Sequence, residues 1–181
     1  LAVVAQVADH IVVLYNGEIK EAGPVETIIN KSEHPYTKRL MGAIKPLPKA
    51  GLGEASNHAH MRDVPALEAK SVDAGYGRDA EGKPKTMVLR DVNVAIERGK
   101  TVGIIGESGC GKSTLARVFA GLLPPSDGHL KLDGESIAPD LRNRSREELR
   151  KVQFVYQMAD TALNPRQRIK DILGRPLDFY G

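Results

Sequence analysis

The stretch GIIGESGCGKSTLARVFAGL, residues 103–122, decides the fold of this chain. Residues 106–113 within it fit the pattern G-x-x-x-x-G-K-[ST] without a gap. An apolar run precedes the pattern and an amphipathic run follows it, so a strand, a loop and a helix are predicted in that order. In this context a glycine-rich loop can bind phosphate groups through its backbone N–H groups. The stretch therefore predicts an α/β fold with a nucleotide-binding loop.

Each part of the loop has a physical role in holding phosphate. The glycines let backbone N–H groups approach phosphate oxygens closely, and the helix that begins at Lys112 adds the positive end of its dipole. The Lys112 ammonium can reach the β- and γ-phosphates, the Ser113 hydroxyl can ligate Mg²⁺, and Thr114 lies on the α-phosphate side. The predicted nucleotide contacts are Gly106, Glu107, Ser108, Gly109, Cys110, Gly111, Lys112, Ser113 and Thr114. GTPases, kinases and transport ATPases all contain such a loop, so its surroundings must decide between them.

The composition allows a hydrophobic core and narrows the classes of protein. Of the 181 residues, 41% are hydrophobic and 27% are charged, with a formal net charge of +3. This small excess of basic residues is a weak argument for a nucleic-acid or anionic-membrane partner. No run of 18 or more apolar residues occurs, so no membrane-spanning helix is predicted. The single cysteine, Cys110, excludes a disulfide within the chain and a cysteine-based zinc site.

Three sections follow one another along the chain. They are residues 1–48, a linker at 49–65 that is rich in Gly, Ala and polar residues, and residues 66–181. In the third section, strands are predicted at LEAKSVDAGY, TMVLRDVNVAIERG, KTVGIIG, HLKLDG and VQFVYQ. KTVGIIG is a continuous apolar run, which predicts a central strand buried on both faces. Helices are predicted at 112–122, SREELRK and RIKDILGRPLDFYG.

The first section predicts a hairpin followed by two helices. In IVVLYNGEIKEAG, two strand-like runs flank Asn16-Gly17, a pair that favours a type I′ turn. Pro24 suits the first position of a helix over VETIIN. A second helix is predicted at HPYTKRLMGAI, whose apolar face consists of Tyr36, Leu40, Met41 and Ile44.

The residues around the loop resemble the ATP-binding cassette (ABC) family. VLRDVNVAIERGKTVGIIGESGCGKSTLARVFAGLLPPSDGHLKLDGESI is similar to the opening half of such a cassette nearly throughout. VQFVYQMADTALNPRQRI is similar to the family's Q-loop region, with Gln157 lying 45 residues after Lys112. The resemblance implies a P-loop NTPase fold, that of the ABC nucleotide-binding domain, with an antiparallel β subdomain. The domain is expected to be incomplete, because its signature and Walker B motifs do not occur in these 181 residues.

The resemblance also implies roles for single residues. Gln157 would contact Mg²⁺ and the attacking water, and Lys112 and Gln157 are the predicted catalytic residues. Mg²⁺ would be held by Ser113 and Gln157. Tyr76 best matches the aromatic residue that stacks on adenine in the family. One departure is that M-A-D follows Gln157, where the peptide-transport branch usually has D-P, and this departure concerns the coupling surface rather than nucleotide binding.

The first section resembles the end of another cassette of the same family. The family's switch histidine would lie upstream of this stretch, and His10 is predicted to be a surface or strand-edge histidine instead. HPYT at 34–37 is similar to the C-terminal extension of oligopeptide and dipeptide importer ATPases, a branch that includes nickel, opine and glutathione importers. The chain is therefore expected to be an internal piece of a fused tandem protein. It would hold the tail of a first cassette at 1–48, a linker at 49–65 and the N-terminal half of a second cassette at 66–181.

The resemblance implies an ATP-binding and ATP-hydrolysing subunit that energises the import of peptides or related small solutes. Its cofactors would be ATP and Mg²⁺. Its partners would be membrane-spanning permease subunits, a periplasmic or extracellular solute-binding protein and a second cassette, with no nucleic acid, and it would lie peripherally at the cytoplasmic face of the cell membrane. The 181 residues contain neither an LSGGQ-like signature nor an apolar run ending in Asp-Glu. This piece alone is therefore expected to bind nucleotide weakly and not to hydrolyse it measurably.

Two alternatives stay open at this point. One is a soluble ABC-type ATPase of DNA repair or translation, and the other is a nucleotide-binding fragment without turnover. Two further stretches are assigned no function. RNRSREELRK at 142–151 has no interleaved aromatic residues and predicts a solvated helix face, while His58 and His60 lack a third ligand for a metal site.

Overall fold

Two β-sheets share a hydrophobic core with the helix that follows the glycine-rich loop. The computed structural model describes residues 2–42, 64–158 and 163–180. The elements are α1 (Ala2–Val7), β1 (His10–Tyr15), β2 (Glu18–Pro24), α2 (Val25–Lys31), α3 (Pro35–Gly42), β3 (Leu67–Tyr76), β4 (Thr86–Ile96), β5 (Val102–Ile105), α4 (Lys112–Phe119), β6 (Asp127–Leu132), β7 (Glu135–Ser136), a 3₁₀ turn (Leu141–Asn143), α5 (Arg146–Lys151) and α6 (Ile169–Tyr180). The linker prediction, Ile44, His58 and His60 lie outside the described residues, apart from residues 64 and 65.

The strand order explains how the two long sections of the chain meet. One sheet has the order β2-β1-β5, in which β1 is antiparallel to β2 and parallel to β5. In the parallel pair, His10 lies opposite Val102 and Val13 lies opposite Ile105. The other sheet is antiparallel throughout, with the order β4-β3-β6-β7. This arrangement confirms the predicted α/β architecture with an antiparallel β part, and it places strands of the first and third sections in one sheet.

The strand that is buried on both faces is β1, not β5 as the sequence predicted. Residues Ile11 to Leu14 are at most 5% exposed. Val12 and Leu14 pack into the larger core with α4 and the antiparallel sheet, whereas Ile11 and Val13 pack with residues of α2 and α3. In β5 only Ile105 is buried. The prediction for KTVGIIG was wrong because β5 pairs only with β1 among the described strands and so lies at the edge of its sheet.

The predicted hairpin forms, and its turn lies at Asn16-Gly17 as expected. Asn16 and Gly17 both have positive φ, at 51° and 80°, and Tyr15 pairs with Glu18 across the turn, as a type I′ turn requires. The structure adds a bulge between Val13 and Leu14. Pro24 ends β2 and directly precedes α2, so the helix begins one residue later than predicted.

The predicted strand VQFVYQ does not form. Residues 152–157 have no strand pairing, Val155 is 89% exposed and Tyr156 is half exposed. No described strand lies alongside this segment to supply ladder hydrogen bonds, so its strand propensity is not realised. The flanking helices do form. Ser145 caps α5 through a capping box with Glu148, and α6 follows at Ile169–Tyr180.

One arginine of the basic stretch 142–151 is a structural residue rather than part of a solvated face. Arg144 is buried, and its guanidinium donates from Nη1 to Phe119 O and from Nε to Ala138 O, each at 2.9 Å. Burial lowers the pKa of this guanidinium, and the Glu148 carboxylate opposes that effect. Arg144 thus ties the end of α4 to the segment after β7, whereas most of the other side chains in the stretch are exposed as predicted.

No helix within residues 2–42, 64–158 and 163–180 is both long enough and apolar enough to cross a membrane.

Candidate nucleotide-binding site

The glycine-rich loop joins β5 to α4 and has a packed rim and an open centre. A Cβ atom on Gly106 would lie 2.1 Å from Leu14 O, and one on Gly111 would lie 2.8 Å from a methyl of Leu89. A Cβ on Gly109 would meet nothing within 4 Å. Gly109 and Gly111 have φ of 84° and 112°, which glycine adopts without strain. The ends of the loop therefore lie against β1 and β4, while its centre faces solvent.

Lys112 lies across this loop. Its ammonium donates to Gly106 O at 2.9 Å and to Glu107 O at 2.7 Å. Among the described residues, no carboxylate forms a salt bridge with it. The ammonium also lies 3.6 Å from Cys110 Sγ. A half-buried ammonium whose partners carry no formal negative charge keeps its charge available for an anion at the mouth of the loop.

The first turn of α4 carries Ser113 and Thr114, and Thr114 contacts Tyr76. Ser113 is exposed, whereas Thr114 is buried and its Oγ1 lies 3.2 Å from the Tyr76 hydroxyl. Arg117 also donates to that hydroxyl at 3.2 Å. Tyr76, at the end of β3, is thereby fixed beside the helix although it precedes Thr114 by 38 residues. Arg117 was missed by sequence reasoning, because nothing in the sequence shows that its side chain meets Tyr76.

A cavity of about 490 Å³ opens beside Tyr76. Its walls come from the end of β3, the polar loop that follows, and Leu123 to Ser126 after α4. Tyr76 is 38% exposed, which leaves part of its surface accessible to a ligand. The volume of the cavity suits a small planar group, although residues 106–114 do not line it.

Gln157 is the predicted site residue that the structure does not bring to the loop. It is exposed at the end of the unpaired segment 152–157, and among the described residues no hydrogen bond links it with residues 106–114. The described parts of the chain also contain no group of three or more His, Cys, Asp or Glu that could hold a metal ion. The exposed Ser113 hydroxyl at the start of α4 fits Mg²⁺, which binds hydroxyl and phosphate oxygens and keeps several waters.

Two residues of the first section form hydrogen bonds with the loop. Gly17 N donates to Cys110 O at 3.0 Å, and Glu107 N donates to the Tyr36 hydroxyl at 3.2 Å. Burial raises the pKa of the Tyr36 hydroxyl above its ordinary value, so it remains protonated at neutral pH. Sequence reasoning placed Tyr36 on the apolar face of a helix and missed its contact with the loop. The available signal was a residue with a polar tip within that face.

Comparison with known proteins gives the following matches. Residues 89–174 match the family model described as ABC transporter. A Brucella abortus (strain 2308) protein named "Putative peptide import ATP-binding protein" is 40% identical over 113 residues, covering 62% of this chain and 34% of that protein. "Glutathione import ATP-binding protein GsiA" of Escherichia coli (strain K12) is 28% identical across 100% of this chain and 33% of its own length.

Among solved structures, one titled "Structure of ATP binding subunit of ABC transporter" has a TM-score of 0.49 and 28% identity. The match covers 64% of this chain and 43% of that one. The chain spans about one third of the length of the two curated relatives above.

Proposed function

We propose that this chain, whose residues 89–174 match the ABC transporter family model, is a member of that family and binds ATP at the loop between β5 and α4. The observation that carries the proposal is the Lys112 ammonium, which lies over an open glycine-rich loop without a carboxylate partner in the described residues. The loop N–H groups and the N-terminus of α4 add donors and a positive dipole for phosphate.

The roles proposed for single residues follow from their positions. Lys112 binds the β- and γ-phosphates, Thr114 lies on the α-phosphate side, and the exposed Ser113 hydroxyl supplies an oxygen ligand for Mg²⁺. Mg²⁺ held there would supply positive charge that neutralises the phosphate groups. Gln157 would contact the ion and orient the attacking water. For Gln157 the support is its spacing from Lys112 alone.

Tyr76 is proposed to stack on the adenine base within the cavity beside it. Its hydroxyl is held by Thr114 and Arg117, so the ring has a fixed place next to the phosphate loop. Base–aromatic stacking contributes about 1–3 kcal/mol and does not depend on the edge of the base. A tyrosine in this position would therefore add affinity for the nucleoside without reading its identity.

Replacing Tyr76 with alanine is expected to raise the dissociation constant for MgATP about 30-fold, the midpoint of the stacking range. Tyr76→Phe keeps the stacking ring and loses only the hydroxyl contacts with Thr114 and Arg117, so it is expected to stay within about 3-fold of the wild type. Titration with inorganic tripolyphosphate, which has no base, is the control and should be unaffected by either change. If Tyr76→Ala weakens tripolyphosphate as much as ATP, the residue acts on the phosphate loop and not on the base.

The domain division proposed from the sequence assigns residues 1–48 to the tail of a first cassette, 49–65 to a linker and 66–181 to the opening half of a second. The alignment with the glutathione import protein supports this, because it covers the whole chain and so includes both long sections. Partial proteolysis of the 181-residue chain tests the linker. Cleavage confined to 49–65 is expected, and preferred cleavage elsewhere would contradict the division.

For the whole protein we propose an ATP-hydrolysing subunit that drives import of peptides or of glutathione-like solutes. The support is the naming of relatives as peptide and glutathione import ATP-binding proteins. Membrane-spanning permease subunits, a solute-binding protein and a second cassette would be its partners, and the cytoplasmic face of the cell membrane its location.

In cells that produce the whole protein, Lys112→Ala is expected to abolish its transport activity. Uptake of a radiolabelled dipeptide and of radiolabelled glutathione is measured, and at least one should fall to the level of a deletion strain. Lys100→Ala removes the same charge from an exposed turn and should leave uptake unchanged. Undiminished uptake of both solutes, together with a defect in DNA repair or translation, would support the soluble ATPase instead.

A further inference from the structure

We propose that Tyr36 is a positioning residue for the phosphate loop, acting from the first section of the chain through its hydroxyl. That hydroxyl accepts a hydrogen bond from Glu107 N at 3.2 Å. The two residues are 71 positions apart, and the contact crosses from α3 to the loop after β5. The inference rests on the proposed ATP binding and adds a dependence of that site on the HPYT segment.

The Tyr36 side chain is held firmly enough to act as a support. It is 5% exposed and belongs to the buried cluster of Ile11, Val13, Ile28 and Ile105. Its ring lies 4.3 Å from the Tyr15 ring, measured between centroids, and the Arg39 guanidinium lies 5.6 Å above it. Tyr36 N donates to His34 Nδ1 at 3.1 Å, which fixes the backbone where the helix begins. The hydroxyl therefore has little freedom to leave the loop.

The residue that Tyr36 engages is also engaged by Lys112. Glu107 donates its N–H to Tyr36, and its carbonyl oxygen accepts from the Lys112 ammonium at 2.7 Å. Tyr36 thus holds the N–H group of Glu107, while the carbonyl oxygen of the same residue holds the Lys112 ammonium. Since Glu107 itself is exposed at the open centre of the loop, Tyr36 is the buried anchor on the side away from the phosphate. Removing the hydroxyl would loosen Glu107 and, with it, the site that the ammonium occupies.

The test compares Tyr36→Phe with Tyr15→Phe in the 181-residue chain. Each variant removes one hydroxyl from the same pair of stacked rings, and among the described residues the Tyr15 hydroxyl makes no hydrogen bond to the loop. Tyr36→Phe is expected to raise the dissociation constant for MgATP about 3- to 10-fold, the range for one lost hydrogen bond. Tyr15→Phe should remain within about 1.5-fold, since the loop loses no hydrogen bond in that variant.

A second readout separates positioning from general stability. In ¹H–¹⁵N spectra of the nucleotide-free chain, the Glu107 amide should shift upfield in Tyr36→Phe and stay in place in Tyr15→Phe. A change confined to overall stability would not single out this amide. An unmoved Glu107 amide, or a moved amide with unchanged MgATP affinity, would overturn the inference. If the wild-type chain binds no nucleotide, the proposed function fails and the positioning role with it, while a moved amide would still establish the Tyr36–Glu107 contact.

Discussion

The Lys112→Ala chain is expected to bind MgATP about 100-fold more weakly than the wild-type chain, a loss of about 2.8 kcal/mol. The ammonium is the cation at the mouth of the loop, and hydrogen bonds from a charged donor contribute about 1.5–3 kcal/mol each. The free energy of unfolding should fall by less than the binding loss, by about 1–2 kcal/mol, because the bonds lost in the nucleotide-free chain join a half-buried ammonium to carbonyls of a loop whose centre faces solvent. Equilibrium titration and urea unfolding measure the two quantities.

The control for this variant is Lys100→Ala, which removes the same charge from the turn before β5. Within the described residues, the one salt bridge of the Lys100 ammonium is a 4.0 Å ion pair with Asp9, so its loss should leave both affinity and stability nearly unchanged. Equal affinity of the Lys112→Ala and wild-type chains would contradict the assignment of the loop. Phosphate release is followed in the same samples, and steady release by the wild-type chain that Lys112→Ala abolishes would refute the prediction that this piece alone does not hydrolyse ATP.

Gly17→Ala is expected to destabilise the fold by at least about 3 kcal/mol. A Cβ atom at this position would lie 1.8 Å from Val88 O, a backbone atom that can withdraw only if β4 and the hairpin separate. Gly17 also donates to Cys110 O and accepts from Arg90 N at 2.9 Å, so the same movement would break its links to the loop and to β4. Urea unfolding measures the loss.

Gly82→Ala is the matched control for the turn glycine. Gly82 has φ of 82°, almost the same as the 80° of Gly17, but an added Cβ would meet nothing within 4 Å. Both variants therefore carry the backbone cost of a non-glycine residue at positive φ, about 1–2 kcal/mol, and only Gly17→Ala adds a collision. Equal losses in the two variants would show that the hairpin does not dock against β4 and the loop as described.

Features that depend on local chemistry could be predicted from the sequence. The turn at Asn16-Gly17 follows from the tolerance of both residues for positive φ, and the strand–loop–helix around Lys112 follows from a gap-free pattern. The extent of β3 was predicted to the residue, because LEAKSVDAGY is bounded by a polar loop. The capping of α5 by Ser145 is likewise a local signal.

Contacts between segments that are far apart in the sequence could not be predicted from local patterns. The parallel pairing of β1 with β5 joins residues 92 positions apart, and no local pattern encodes it. Because β1 is the central strand of its sheet, β5 lies at the edge despite its apolar sequence. Arg144 and Tyr36 were misjudged for the same reason, since their polar groups find partners only after α4 and the loop are in place.

Isothermal titration of the wild-type chain with MgATP decides whether the loop between β5 and α4 binds ATP. We expect saturable binding at one site per chain, with a dissociation constant below about 1 mM, and displacement by ADP. Heat no greater than that of the Lys112→Ala chain, at nucleotide concentrations well above that value, would contradict ATP binding at this loop.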